Sequence, residues 1–436
     1  MKGLWRFLEL AFVITYLILY AGGILALFLS GGYSEGDAGS LRDVDFALIR
    51  QLLLVNYGIS FLLLLWRWKY VVQRLFRSPF LLILLGLVVC SVLWSAQPSL
   101  TQTRAIALLG TTLFGVYFGT RFSPKEQLSL LAITFGIILF LNLAFVIALP
   151  QYGRMSGIHA GAWRGVFIHK NPFGQMMVLS SLIFLSLSST KGRNSWMPML
   201  GLAVSALMIV MSASSSSLIN FVTLILIFMV IKVALWPDRI MIPVICTLSA
   251  VGSLASLFLV DLLELVVGSV GKDLTLTGRA DIWPIVIRQG LQQPILGYGY
   301  SGFWGDWNSP GAAVWKDYGW LAPNAHNGFI DLWIQLGFVG AAIFLVCFLQ
   351  MFVRGVQLSR GAEPSLYLWS VIYLIFTCLI NSTESSLMVN NSLNWVLFVS
   401  LNMSLQPNRL RSRQTEEPVE VSMGAPKYSG GIIGGA

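Results

Sequence analysis

The sequence predicts an all-α, polytopic integral membrane protein, and three observations carry that prediction. Apolar residues make up 56% of the 436 residues and charged residues only 11%, where soluble domains are roughly a quarter charged. A soluble chain this apolar lacks the polar groups to cover its surface. Several apolar runs also reach the ~20 residues that cross ~30 Å of hydrocarbon as a helix. Finally, basic residues recur in alternate loops, the pattern left by a chain that crosses a bilayer many times.

The expected spans lie near 7–29, 48–66, 80–94, 104–120, 127–149, 172–190, 195–211, 217–236, 239–260, 328–352, 365–381 and 392–405. That makes about twelve, with ten the lower bound: 80–94 is short, and 195–211 with 217–236 also reads as one broken hairpin. Met1, Lys2 and Arg6 give a positive start, but the stretch from Phe7 to Leu29 is long and no small-residue cleavage pattern closes it. It reads as a retained first helix and not a signal peptide. Cys90, Cys246, Cys347 and Cys378 all lie inside apolar runs without paired spacing, which argues against disulfides or a thiolate metal site.

A cytoplasmic N-terminus places 18 of the 28 Lys and Arg residues inside, in every inner loop: Lys2, Arg6; Arg67, Lys69, Arg74, Arg77; Arg121, Lys125; Lys191, Arg193; Lys232, Arg239; Arg354, Arg360; and Arg409, Arg411, Arg413, Lys427 in the tail. Both termini are therefore expected in the cytoplasm. The tail after Gln406 is basic, then rich in Gly, Pro and Ser, and is expected to be disordered.

Of the remaining ten, Arg42, Arg50 and Arg104 lie near outer helix ends. Seven sit in two outer loops: Arg154, Arg164 and Lys170 in 150–171, and Lys272, Arg279, Arg288 and Lys316 in 261–327. The same loops hold all three histidines, His159, His169 and His326. Cations placed against the topological preference call for an anionic ligand at the outer face. The plain alternative is that a loop this long carries charge regardless, since the rule weakens in long loops.

The long loop contains Thr277-Gly278-Arg279-Ala280-Asp281-Ile282-Trp283-Pro284 and then Leu296-Gly297-Tyr298-Gly299. From Asp281 to Gln292 the apolar residues form one face of a short interfacial helix, in which Pro284 fits only the first turn. Arg279 then stands just before the helix N-terminus, a natural phosphate position, and Arg288 about two turns further on. Solvent-facing arginines are the plain alternative for both. In loop 150–171, Asn171 suits the N-cap before Pro172 in the first turn of the next span; Arg164 and Lys170, among apolar neighbours, have no such structural reading. The long loop ends at Asn324-Ala325-His326-Asn327, at the outer mouth of a span, where a histidine can accept a proton near neutral pH.

From His326-Asn327 the chain continues with nine residues and then Gly337-Phe338-Val339-Gly340. This resembles the HN-x9-GxxG signature of bacterial O-antigen ligases and the related Wzy-type polysaccharide polymerases. Trp163-Arg164-Gly165-Val166-Phe167 with His169-Lys170-Asn171, Thr277-Gly278-Arg279 with Trp283, and Leu296-Gly297-Tyr298-Gly299 are similar too, and the combination looks closest to the exopolysaccharide-production, ExoQ-like branch. Ala341 and Arg279-x3-Trp283 stand where ligases often have Thr and Arg-x3-Leu, which favours polymerase over ligase.

The resemblance implies a GT-C-like membrane glycosyltransferase of the bacterial inner membrane, active at the periplasmic face without a metal or other cofactor. Its donor would be a glycan linked through pyrophosphate to undecaprenol. The expected organisation is 1–149, N-terminal helices; 150–345, the O-antigen ligase-like core with periplasmic loops 150–171 and 261–327; 346–405, C-terminal helices; and 406–436, the tail. On this reading Arg164 and Arg279, with Arg288, clamp the pyrophosphate, since arginine bonds phosphate bidentately and stays charged. His326 is the base for the sugar hydroxyl. Lys170, Asn171, His169, Asn327 and Asn324 are expected to bind substrate, and Trp304, Trp307, Trp315 and Trp320 to lie near the headgroups.

Expected partners are the lipid-linked oligosaccharide, membrane lipid, a flippase and chain-length or export proteins, and no nucleic acid. Three alternatives stay open: an O-antigen ligase acting on lipid A-core; a polyprenyl-phosphate glycosyltransferase using Asp43 and Asp45 to hold a divalent metal; and a lipid-linked glycan transporter, with Asn381, Glu384 and the polar run Ser212 to Ser217 as its polar features.

Overall fold

Long apolar runs can satisfy their backbone away from water only as helices or closed barrels, and this chain takes the first course. The computed structural model describes residues 2–32, 45–189, 196–233, 277–319, 321–361 and 364–406, with scattered positions between 239 and 254. Among the described residues there is no β-strand, and one isolated bridge pairs Arg154 with Trp163. Met1–Leu405 form one compact unit. Residues 407–436, most of the expected tail, and most of the expected span 239–260 lie outside the described residues.

The helices are α1 (Lys2–Ala21), α2 (Ile24–Leu29), α3 (Ala47–Trp66), α4 (Trp68–Phe76), α5 (Pro79–Cys90), α6 (Pro98–Arg121), α7 (Pro124–Ala148), α8 (Pro150–Gly153), α9 (Lys170–Ser188), α10 (Trp196–Met211), α11 (Ser215–Val233), α12 (Thr277–Gly290), α13 (Ala312–Tyr318), α14 (Gly328–Ser359), α15 (Pro364–Thr383) and α16 (Leu393–Ser404). Five of the described helices are long and apolar enough to cross a membrane, and a sixth if the pair α4 and α5, bent by 91°, is one broken span. Three shorter apolar helices match α10, α11 and α16. The expected span 7–29 is interrupted at Gly22 and Gly23, between α1 and α2.

α6 and α9 coincide with expected spans yet carry several hydroxyl residues. Three of those side chains bond to their own preceding turns, Thr111 to Ala107, Thr112 to Leu108 and Ser181 to Met177, which satisfies their hydroxyls inside an apolar bundle. The core lies around α9, α15 and α16, where Trp369, Tyr373, Phe376 and Trp395 are buried. The rim exposes Phe76, Phe140 and Ile147, as a lipid-facing surface does.

α6 and α7 set the direction of the bundle. They pack together across the turn Phe122–Ser123, closed by a capping box in which Ser123 and Glu126 bond each other reciprocally. Each helix is roughly 36–38 Å long at 1.5 Å per residue, so Pro98 and Ala148 return to the same end. At the opposite end Glu9 accepts from Arg121 Nε at 2.6 Å, Arg121 Nη2 at 2.7 Å and the Tyr117 hydroxyl at 2.8 Å. Arg6 bridges Glu9 and Glu126 at 3.1 and 2.9 Å. That charged knot ties α1, α6 and α7 together.

α14 is two helical segments joined at Gly337, whose φ of 65° and ψ of −170° belong to a region open essentially only to glycine. The break frees backbone groups inside the bundle. The amides of Phe338 and Val339 donate to the carbonyls of Pro294 and Ile295 at 2.9 and 3.2 Å, and the Ile334 carbonyl accepts from Tyr298 at 2.9 Å. A Cβ at Gly337 would strike the Ile295 carbonyl oxygen. Gly337→Ala should therefore cost about 3 kcal/mol or more, read as a marked drop in thermal midpoint or loss of monodisperse purified protein, whereas Ala341→Gly, at an ordinary helical position, should cost only about 1 kcal/mol.

Candidate functional site

From Thr277 to Asn327 the long loop is a small folded module. On α12, Ile282 and Val286 stand one turn apart and are fully buried against Phe303, Val314, Trp315, Ala322, Ala325 and Ile334 of α14. This packing corrects three expectations. The helix starts at Thr277, so Arg279 is its third residue and does not precede it, and Pro284 sits in the interior. The missing proline donor is tolerated because the buried face holds the helix together. The face itself packs into a core and does not lie free at the interface. Trp304 and Trp315 are likewise buried, their indoles donating to Asp331 Oδ1 at 2.7 Å and the Ala322 carbonyl at 2.8 Å. Trp307 is exposed, and Trp320 lies outside the described residues.

Backbone contacts pin this module to the helix ends. The Trp94 indole donates to the Leu296 carbonyl at 3.1 Å, the Ala96 amide to Tyr298 at 3.0 Å, and the Tyr300 amide to Ser91 Oγ at 3.0 Å. Gly297 takes φ 64° where an added Cβ would stand 2.6 Å from the Gln335 carbonyl carbon. The Tyr300 hydroxyl, pushed to higher pKa by burial, donates to the Met388 carbonyl at 2.6 Å.

His326 sits where the module, α14 and the segment after α15 converge. It is buried and takes φ 49°, a left-handed conformation uncommon outside glycine and stored most often at functional sites. Two asparagines hold that shape: Asn324 Oδ1 accepts from the His326 amide at 2.9 Å, and Asn327 caps α14 by accepting from Phe329 and Ile330 at 3.1 and 3.2 Å. The ring's Nδ1 lies 3.1 Å from Glu384 Oε2, and both side chains are mostly shielded. One turn into α14, the buried Asp331 carboxylate accepts from Trp304, from the Ala325 amide at 3.0 Å and from the Ser385 hydroxyl. The indole of Trp283 donates to the Ala325 carbonyl at 2.9 Å, so α12 is tied to the residue before His326. Position 279 lies one turn N-terminal to Trp283 on the same helix face. The Arg279 side chain lies outside the described residues, as does Lys272. Arg288 is exposed on the last turn of α12.

A second group forms around loop 150–171, at the end where α7 finishes. Arg164 is only 1% exposed. It donates through Nε to Tyr152 O at 2.7 Å, through Nη1 to Ile168 O at 3.2 Å, and through Nη2 to Gly32 O at 2.6 Å and Gln151 O at 3.4 Å. Four of its five N–H groups are thus spent on backbone carbonyls, and burial lowers its pKa. His169, not Asn171, is the N-cap of α9; its Nδ1 accepts from the Asn171 amide at 3.3 Å. The shorter Asn171 side chain is released to meet Ser214 Oγ at 3.3 Å, while Lys170 Nζ donates to the Ala213 carbonyl at 3.1 Å. The polar run Ser212 to Ser217 therefore closes this group. His159 packs edge-on against His169 at 5.7 Å, its pKa lowered by burial and by the Lys170 charge. α9, which begins at Lys170, packs on α15, which ends at Thr383 beside Glu384; that helix pair relates the two groups.

By sequence alone Glu384 figures only in the transporter alternative and Asp331 has no assigned role. Glu384 lies 58 residues beyond His326, and only its position as a lone acid just past a span end marked it. Among the described residues no group of three His, Cys, Asp or Glu side chains is placed to hold a metal ion. Asp45 caps the Ala47 amide at 2.8 Å and pairs with Arg50 at 3.6 Å, and Asp43 lies outside the described residues.

Residues 200–345 match the family model described as O-antigen ligase. The chain is also 24% identical over 300 residues, 66% of its own length and 68% of the relative's, to the exopolysaccharide production protein ExoQ of Rhizobium meliloti (strain 1021). Both matches support the O-antigen ligase and ExoQ-like family for this membrane protein.

Two outcomes follow from the geometry. Asn327→Ala should cost about 1 kcal/mol of stability through the lost cap, and Asn327→Ser should recover most of it, read in thermal unfolding of purified protein. Arg164→Lys keeps the charge but not the fork, so it should cost about 2–4 kcal/mol, also read as a lower thermal midpoint.

Proposed function

We propose that this chain elongates an exopolysaccharide by transferring a glycan from an undecaprenyl-pyrophosphate donor to a sugar hydroxyl at the periplasmic face of the bacterial inner membrane. O-antigen ligase or polymerase-type glycosyl transfer in exopolysaccharide production is what the family match and the ExoQ relative support. The finer reading is carried by one observation: His326, first residue of the HN-x9-GxxG signature, is buried in a left-handed conformation with Nδ1 on Glu384.

The chemistry follows from that arrangement. Nδ1 donates its proton to the Glu384 carboxylate, which leaves the Nε2 lone pair to take the proton of the attacking hydroxyl. The hydroxyl oxygen bonds to the anomeric carbon, and the bond to the pyrophosphate oxygen breaks with its electron pair on the leaving undecaprenyl pyrophosphate. Negative charge grows on that group, and a fixed arginine stabilises it. Arg279, in the first turn of α12, takes that role, helped by the helix N-terminus, with Arg288 toward the membrane surface. Arg164 serves differently from a free clamp: its bonded guanidinium braces loop 150–171 and holds a positive charge under the outer face. Lys170, Asn171 and His169 shape the same wall, and Asn324 and Asn327 set the backbone of the base. The twelve spans, with both termini cytoplasmic, belong to this proposal, as does transfer without a metal.

With purified lipid-linked repeat units as the only substrate, the expected products are longer lipid-linked chains, made equally well in EDTA. His326→Ala should lower turnover by roughly 10²-fold or more, and Glu384→Gln by roughly tenfold. Elongation at wild-type rate by well-folded His326→Ala protein sinks the base assignment. Transfer only to an added lipid A-core acceptor makes the protein a ligase instead.

A further inference from the structure

α4 stands at the end of the bundle opposite His326, where Arg74 Nη1 donates to the Met403 carbonyl at 3.2 Å. It meets α5 at 91°, so a membrane-crossing α5 lays α4 in the plane of the membrane surface. Seven of its nine residues fall on three faces. Val71 and Arg74 are buried against the bundle. Trp68, Val72 and Phe76, spaced i, i+4, i+8, form an outward apolar stripe and are 55%, 38% and 75% exposed. Lys69 and Gln73 form an exposed polar stripe beside it.

A helix that packs by one face and offers a second apolar face outward is matched to the boundary between headgroups and acyl chains, where the stripe sinks into lipid. Cations gather at the same level. Arg67 precedes the helix, its guanidinium 5.5 Å from the Tyr70 ring, and the Lys69 ammonium lies 5.8 Å from the Trp68 ring. Neither pairs with a carboxylate among the described residues. Arg77 follows at the other end, and Trp66 beside Arg67 is 89% exposed.

We propose that α4 with Arg67 and Lys69 binds an anionic phospholipid. The cations take the phosphodiester and acidic headgroup, and the acyl chains run along Trp68, Val72 and Phe76. Exposed cations at a membrane surface favour anionic lipid by roughly fivefold each at low ionic strength, whereas a zwitterionic lipid gains only the apolar stripe.

The test is native mass spectrometry of the purified full chain titrated with phosphatidylglycerol and, separately, phosphatidylcholine. Phosphatidylglycerol should bind more tightly. The double variant Arg67→Gln with Lys69→Gln should lose roughly 25-fold of that affinity while phosphatidylcholine binding stays unchanged. Trp68→Ser with Phe76→Ser should weaken both lipids, and Lys125→Gln, at the same end but off α4, should weaken neither. Thermal midpoints of the variants, all at exposed positions, establish that they are folded. Equal affinity of the wild type for the two lipids overturns the assignment. So does an anionic preference that survives the double charge substitution, or loss of bound lipid as a second copy of the chain associates.

Discussion

Inside a bilayer every backbone amide and carbonyl needs a partner, because no water is there to supply one. The break in α14 at Gly337 turns that requirement into architecture. Two amides and a carbonyl released by the lost helical bonds are taken up by Pro294, Ile295 and Tyr298, so the irregular helix and the long loop complete each other. Remove the loop and α14 strands polar groups; straighten α14 and the loop loses its anchor. The remaining contacts of the module, with Trp94, Ala96 and Ser91 on one side and Met388 on another, refine a position already fixed by that exchange.

The same anchoring explains how a short loop segment can hold a histidine in a strained conformation. The half of α14 before the break is capped by Asn327, while the module's core reaches into it through Ile334. Between cap and core stands Asp331, whose carboxylate gathers Trp304, Ala325 and Ser385. The backbone on both sides of His326 is thereby bonded, and Glu384 holds the ring. Precision at His326 comes from packed helices and a buried carboxylate acting together.

The parts legible in the sequence were those written in local pattern. Apolar runs gave most helices, and the spacing from His326-Asn327 to Gly337 and Gly340 marked the region where the histidine, the cap and the break now stand. What stayed hidden depends on pairings across the fold. Arg164 reads as an unexplained cation until Gly32 and Ile168 are seen to supply its acceptors. Trp304 and Trp315 look like interfacial anchors because nothing local reveals that the loop has a core of its own. Pro284 argued for a helix start, and tertiary burial of Ile282 and Val286 overrode it. Asn171 is the better cap by propensity, yet His169 occupies the site because Asn171 is engaged with Ser214.

The exchange at Gly337 also bears on how far such a protein can diverge. Its acceptors, Pro294 and Ile295, contribute carbonyl oxygens, which every amino acid carries. The path of the segment at this joint is therefore prescribed by backbone, and side-chain identity is restricted there chiefly at Gly297 and Gly337, where a methyl group would block the approach. Substitution at exposed positions of the loop can change its surface without disturbing how this joint is held. The joint works as a socket that reads the backbone of what is plugged into it and not its exposed side chains.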